Sequence, residues 1–278
     1  MLAATALLLG LVFCLGAAVG SFLNVLVYRL PLRLGFVVGT SQCPSCGHRL
    51  AAHDLIPVIS YILLRGRCRY CGRPISLRYP FVELLGGLSA VVSYCAFLPP
   101  AGFLLGPDAS AAIFAFAPGF TVLNVSGALT CFLVLCILIA VTFIDLDTQE
   151  IPDALNVCLL VCGLASFALL PGVAMSSHLL GLVCVSVPMG VLAFALPGSF
   201  GFGDVKLVAA GGLLLGWEFV VLAAFIGVVI GGLQGVFLLV FGKRGRKEHF
   251  AFGPALCIGI AAALLAGGPI LSTYWGFF

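Results

Sequence analysis

The sequence predicts an all-α polytopic membrane protein of about eight transmembrane helices, with a cytoplasmic four-cysteine loop between helices 1 and 2. Three observations predict it. Of 278 residues, 62% are hydrophobic and 8% charged, with a mean hydropathy of +1.25, far from the composition of a soluble domain. All 13 Lys and Arg fall in three places: eight between residues 29 and 78, Lys206 alone, and four between residues 243 and 247. Two Cys-x-x-Cys pairs lie within the first of these stretches.

Residues 2 to about 27 form the first span; with no basic leading segment and no cleavage site before Arg29, they read as a helix rather than a signal peptide. The positive-inside rule places the three basic stretches in the cytoplasm and the N-terminus outside. Within the loop, residues 56–64 are apolar but short and interrupted by Pro57, so they lie on the bilayer or pack on the bundle. The second span, about residues 80–98, is broken by Pro99-Pro100 and Gly102, and an outer loop carrying Asp108 runs to about Gly119. The third span, about residues 121–143, brings Asp145 to the cytoplasmic face.

Spans four (residues 154–170) and five (residues 179–196) cross out and back around Pro171-Gly172, so Asp204 emerges on the same face as Asp145. Two crossings in residues 205–241, turning at Gly216-Trp217-Glu218, keep Lys243, Arg244, Arg246 and Lys247 inside. This leaves a sixth span of about 12 residues, expected to be thinly covered, tilted or partly wet. The eighth, residues 252–271, ends outside. The division expected is a first helix (residues 1–28), a zinc-binding loop (residues 29–79) and a seven-helix membrane domain (residues 80–278).

Eight of the 12 cysteines sit singly in apolar runs and serve as small core hydrophobes. The other four form two knuckles, Cys43-Pro-Ser-Cys46-Gly and Cys68-Arg-Tyr-Cys71-Gly, with 21 residues between them. Four thiolates so spaced close a tetrahedral structural zinc site, an iron–sulfur centre or labile disulfides being the alternatives. Gly47 and Gly72 supply a positive φ that turns backbone amides toward the sulfurs. His48 and His53 are outer-shell groups or, more plainly, exposed loop histidines. The basic residues act as topology determinants, which excludes a nucleic-acid surface.

Acids beside hydrocarbon are costly and mark function. Asp145 and Asp204 both meet that description, and two carboxylates that approach closely share one proton, one activating water while the other protonates a peptide carbonyl. Gly201 and Gly203 would let a substrate backbone approach and permit unusual dihedrals before Asp204; taken alone, Gly-Phe-Gly-Asp204 is also a turn before a helix. Asp147 rivals Asp145, from which it points about 200° away if the helix continues. Asp153, after Pro152, caps the fourth helix, and Glu150 is a solvated boundary acid. Glu83 pairs with a basic residue or lines the acid site.

At these residues the chain resembles the bacterial type IV prepilin leader peptidases, which also N-methylate the cleaved product. The resemblance covers nearly the whole chain. It is carried by Gly20-Ser-Phe-Leu-Asn24-Val-Leu-Val-Tyr-Arg-Leu-Pro31, both cysteine knuckles, Ile75-Ser-x-Arg-Tyr-Pro-x-Val-Glu83, Ile144-Asp-Leu-Asp147 with Ile151-Pro-Asp153, Gly201-Phe-Gly-Asp204-Val-Lys206 and Phe252-Gly-Pro-Ala255. It implies a pair of catalytic aspartates at Asp204 and at Asp145 or Asp147, with Asp145 preferred. It also implies cleavage after a glycine of the basic leader of prepilins or pseudopilins of pilus and type II secretion systems. Methylation of the new N-terminal residue, usually Phe, from S-adenosylmethionine follows, in the bacterial inner membrane with the site facing the cytoplasm. Gly201, Gly203, Lys206 and Glu83 are supporting residues, and Gly20 and Asn24 are methyltransferase candidates by resemblance only, since both also suit helix packing. Two other readings stand beside this one: a proton- or cation-coupled transporter using Asp145, Asp147 and Asp204, and a structural partner in a secretion assembly. Oligomeric state is left open.

Overall fold

In a computed structural model, residues 2–35, 41–98, 122–169, 174–196, 200–241 and 251–276 are described. Four expectations fall outside these residues: the break at Pro99-Pro100, the outer loop with Asp108, the Pro171-Gly172 turn, and the basic cluster from Lys243 to Lys247. The described chain is helical, and it divides into two compact units, Met1–Tyr94 and Cys95–Phe278.

The first unit holds α1 (Leu2–Arg29), a short 3-10 turn (Ala52–Leu55), α2 (Ile59–Leu63) and α3 (Arg78–Phe97), the last running into the second unit. The crossing of α1 and α3 is made by small residues. A Cβ at Gly20 would stand 2.8 Å from the Cα of Glu83, and one at Gly86 would stand 2.8 Å from the Cα of Gly20. With no water to drive helices together inside a bilayer, this close backbone approach supplies the packing.

The second unit holds α4 (Val122–Thr148), α5 (Asp153–Leu169), α6 (Met175–Cys184), α7 (Ser186–Ala195), α8 (Phe202–Leu215), α9 (Trp217–Phe241) and α10 (Gly253–Trp275). Helices α6 and α7 together form one span of 21 residues, Met175–Ala195. Pro188 explains the break at Val185: it lacks the N–H that Cys184 O would accept, and the ladder resumes with Met189 N–H donating to Val185 O at 3.0 Å.

Six described helices are long and apolar enough to cross a membrane: α1, α3, α4, the α6–α7 pair, α9 and α10. Helices α5 and α8, at 17 and 14 residues, are shorter. The chain is a multi-pass membrane protein, six long helices being what these residues establish where the sequence suggested about eight.

Of the thin coverage, tilt or partial wetting expected of a short sixth span, thin coverage is excluded by the packing. Helix α8 is the centre of its unit, packed against α5, α6, α7, α9 and α10, with nine of its 14 residues buried. Other helices, rather than lipid, cover its sides, so its length need not match the hydrocarbon thickness. Glycines again set the spacing: Gly212 of α8 meets the backbone of Gly181 of α6, and Gly163 of α5 lies against Leu213 and Leu214. Gly216, at φ +86°, turns the chain from α8 into α9 where the sequence placed that turn.

This packing predicts a contrast. Gly212→Val is expected to lower thermal stability in detergent by roughly 1–3 kcal/mol through overpacking against Gly181. Gly232→Ala, on an open stretch of α9 with nothing within 4 Å, should be neutral or stabilise by up to about 1 kcal/mol. Equal melting temperatures for Gly212→Val and the parent would contradict the close crossing.

Candidate active site and metal-binding cluster

The two knuckles fold alike. In each, the N–H of the first cysteine donates five residues ahead (Cys43 to His48 O at 2.9 Å, Cys68 to Arg73 O at 2.8 Å), and the glycine N–H returns to the first cysteine's carbonyl at 2.8 and 2.9 Å. Both turns close through a positive φ, +69° at Gly47 and +70° at Gly72, as the sequence predicted. Each buries its first cysteine and exposes its second.

The four Sγ atoms lie within 4.8 Å of one another, with Cys43 and Cys71 4.0 Å apart. A tetrahedral ion with bonds of about 2.3 Å to sulfur separates its ligands by roughly 3.8 Å, so the donor set fits one. The thiols divide electrostatically. The backbone N–H of Ser45, joined by groups of Cys46 and Cys68, draws Cys43 down to about 6. The backbone N–H of Arg73 lowers Cys71, but partial desolvation and the neighbouring thiols of Cys68, Cys46 and Cys43 outweigh it and push Cys71 up to about 11. Such a cluster ionises fully only with a cation at its centre.

Around the knuckles, His48 stacks on Tyr70 with ring centroids 3.7 Å apart, and the exposed His53 lies 3.5 Å from Asp54. Asp54 accepts from Arg69 Nε at 2.7 Å, Tyr70 Oη at 3.0 Å and Ala51 N–H at 3.2 Å. Desolvation raises its pKa, but these bonds outweigh it and hold the carboxyl below the usual range. This brace was not foreseen; an acid alone in a basic loop was its signal.

The acids meet in a cleft of about 320 Å³ lined by Asp145, Gln149, Glu150, Ile151, Asp153, Gly201, Phe202, Gly203 and Asp204. Helix α4 continues past Phe143 to Thr148, so Asp145 and Asp147 fall on opposite sides of it. Asp145 is 4% exposed and lines the cleft; Asp147 is exposed and outside its lining. Gln149 ends the helix at φ +56°, its N–H donating to Asp145 O at 2.9 Å, an αL stop without a glycine that directs the chain into Ile151 and Pro152.

Asp204 enters from the first turn of α8. It is 8% exposed, and its Oδ2 accepts from Gly201 N–H at 3.3 Å. The dihedral reason given for the glycines does not hold: Gly201 sits at φ −75°, and Gly203 is helical. What Gly203 permits is contact, since a Cβ there would stand 3.1 Å from Ile151 Cβ. Lys206 pairs with Asp153 at 2.7 Å, so Asp153 begins α5 as an ion-paired first residue rather than a cap before it.

Gly253 completes the ring. As the first residue of α10 its N–H has no intrahelical partner, and it donates to Asp145 Oδ2 at 3.0 Å. A Cβ at Gly253 would lie 2.7 Å from that oxygen and 3.3 Å from Ile151 Cδ1. Ile151 therefore touches both glycines beside the acids. The rings of Phe200 and Phe252, which precede the two glycine-led helices, stand 5.7 Å apart. The available sequence signal for Gly253 was the Gly-Pro start of a helix, a pattern that aims free N–H groups at an anion.

The remaining predicted residues lie in the first unit. Glu83 Oε2 accepts from Val58 N–H at 2.7 Å, a partner the sequence did not propose. Asn24 Nδ2 donates to Gly20 O at 3.4 Å and Tyr79 O at 3.2 Å. Gly20 and Asn24 thus hold α1 to α3; the space beside Gly20 is filled by α3 backbone, which leaves no cradle for a cofactor there.

Residues 14–97 match the bacterial peptidase A24 N-terminal domain, and residues 132–236 match the type IV leader peptidase family. The chain is 34% identical over 294 residues to a prepilin leader peptidase/N-methyltransferase of Aeromonas hydrophila, covering 95% of this chain and 92% of the relative. It is 34% identical to one of Burkholderia pseudomallei (95% and 87% covered) and 31% identical to one of Bacillus subtilis (96% and 98% covered). No solved structure matches significantly.

The cluster's geometry predicts that cobalt(II), titrated into chelator-stripped protein, binds as a single equivalent with the intense thiolate-to-metal absorption of a tetrahedral site. Cys46→Ser and Cys71→Ser should each weaken that absorption. A spectrum of octahedral cobalt, or none, would contradict a four-thiolate site.

Proposed function

Because this chain belongs to the type IV leader peptidase family, whose matched relatives it spans almost end to end, we propose that it cleaves the leader of type IV prepilins or pseudopilins and methylates the new N-terminus. It is a membrane peptidase with methyltransferase activity. The single observation that carries the peptidase mechanism is that Asp145 and Asp204, both otherwise buried, line one cleft.

In that cleft one carboxylate takes a proton from water as the water attacks the scissile carbonyl, while the other gives its proton to the carbonyl oxygen; as the gem-diol collapses, the proton taken from water passes to the leaving amine and a diol hydroxyl returns its proton to the second carboxylate. No covalent intermediate forms. Asp145 is held for this task by Gly253 N–H and Asp204 by Gly201 N–H. Of the other acids lining the cleft, Asp153 is paired with Lys206, while Glu150 is exposed and suits a basic leader electrostatically. Cleavage falls after the leader's glycine, and the residue then methylated is usually Phe.

Arg29 at the end of α1, Arg78 at the start of α3 and Lys206 in α8 support a cytoplasmic cleft, eight crossings and termini outside, in the bacterial inner membrane. The four thiolates would hold zinc; with no open coordination position it would staple the loop and supply no catalysis. The methyl donor implied by the activity is S-adenosylmethionine. Neither the relatives nor the cleft favours the transporter reading.

Asp145→Asn and Asp204→Asn are each expected to lower leader removal by at least roughly 10²–10⁴-fold while insertion and melting temperature are retained. Asp147→Asn should cleave at the parental rate, measured by mass spectrometry of a prepilin peptide. Gly253→Ala should lower kcat by up to about 100-fold, because its methyl displaces the Asp145 carboxylate. Parental cleavage by either dyad variant, or loss in Asp147→Asn alone, would reassign the site.

A further inference from the structure

The first unit presents an apolar surface outside its spans. Leu55, Ile56, Ile59, Ile62 and Leu63 are 39, 44, 53, 65 and 74% exposed. Ile59, Ile62 and Leu63 share one face of α2, at i, i+3 and i+4. The opposite face is engaged by the loop itself: Tyr61 Oη donates to Ile75 O at 3.4 Å and fills the space where Gly66, at φ +68°, could carry no Cβ. The short helix therefore packs its aromatic inward and its aliphatics outward, the reverse of an aqueous loop, and a patch of this kind requires a cover.

The cover is indicated by where the segment is held and what flanks it. Val58, immediately before α2, takes φ +62°, an outlying conformation for a β-branched residue, and its N–H is captured by Glu83 Oε2 at 2.7 Å. Glu83 is the sixth residue of α3, roughly 7–8 Å along the helix axis from Arg78 at its basic end. That is the depth at which a span leaves the headgroup region. Arg65 and Arg67 follow α2 directly and are exposed, and residues 29–78 contain eight Arg against a single acid, Asp54. Aliphatics at interfacial depth beside exposed guanidinium groups match the two layers of an anionic leaflet, acyl chain and phosphate.

We propose that α2 and the turn before it form an interfacial foot, inserting Ile59, Ile62 and Leu63 into the anionic leaflet of the cytoplasmic face, with the Val58–Glu83 hydrogen bond setting its depth. The partner is the lipid surface. The foot would fix the height of the cysteine loop over the bilayer, a role independent of the peptidase reading.

The test uses the full chain in nanodiscs containing phosphatidylglycerol brominated near the headgroup end of its acyl chains. Ile62→Trp is compared with the parent, whose Trp217 and Trp275 supply the background, and Ile59→Trp serves as a second variant should the first not fold. The added emission should be blue-shifted and largely quenched by bromine, while that of Ser45→Trp, at a knuckle tip, should not be quenched. Glu83→Ala in the Ile62→Trp background should reduce the quenching, and so should exchange of phosphatidylglycerol for a zwitterionic lipid. Solvent-like, unquenched emission at both positions 59 and 62 would overturn the proposal. So would shielding that appears only when a prepilin peptide is added, which would assign the patch to protein docking.

Discussion

The Asp145–Gly253 hydrogen bond is the constraint on which the cleft depends. A buried carboxylate at the end of an apolar helix is expensive unless a donor meets it. The donor here is an N–H that α10 cannot use itself, and no side chain can stand at residue 253 without entering the carboxylate's space. The bond thus ties the C-terminal end of α4 to the N-terminal end of α10. Ile151 extends the tie: wedged against Gly253 and Gly203, it links the segment after Asp145 to the turn that carries Asp204. Two acids far apart in sequence are held by two backbone N–H donors and the side chain of Ile151.

The same economy of side chains recurs through the bundle. At Gly20 and Gly86 in the first unit, and at Gly181 and Gly212 in the second, backbones approach where any Cβ would intrude. Inside a bilayer, where apolar side chains are solvated as well by lipid as by protein, such contacts supply the dispersion energy that hydrophobic burial supplies in water. The central position of α8 follows. It can be short because its sides face other helices, and it carries Asp204 at the end that opens to the cleft.

Much of this was legible in the sequence because it rests on local chemistry. Cys-x-x-Cys-Gly dictates a knuckle whatever surrounds it, and Gly216 marks a turn by its own φ. The burial of Asp145 over Asp147 required knowing that α4 continues past Phe143, which apolar periodicity leaves open where polar residues begin. The coverage of α8 was misread because length and hydropathy report how a helix meets lipid and nothing of how many neighbours enclose it. The dihedral role assigned to Gly201 and Gly203, the cap assigned to Asp153 and the partner of Glu83 depended on contacts remote in sequence: Ile151, Lys206 and Val58.

The most direct measurement is an experimental structure of the chain bound to a leader peptide whose scissile amide is replaced by a hydroxyethylene group. The predicted result places the inhibitor hydroxyl within hydrogen-bond reach of both Asp145 and Asp204, with Gly253 N–H still on Asp145. A hydroxyl bound by Asp147, or by neither member of the pair, would contradict the two-carboxylate cleft.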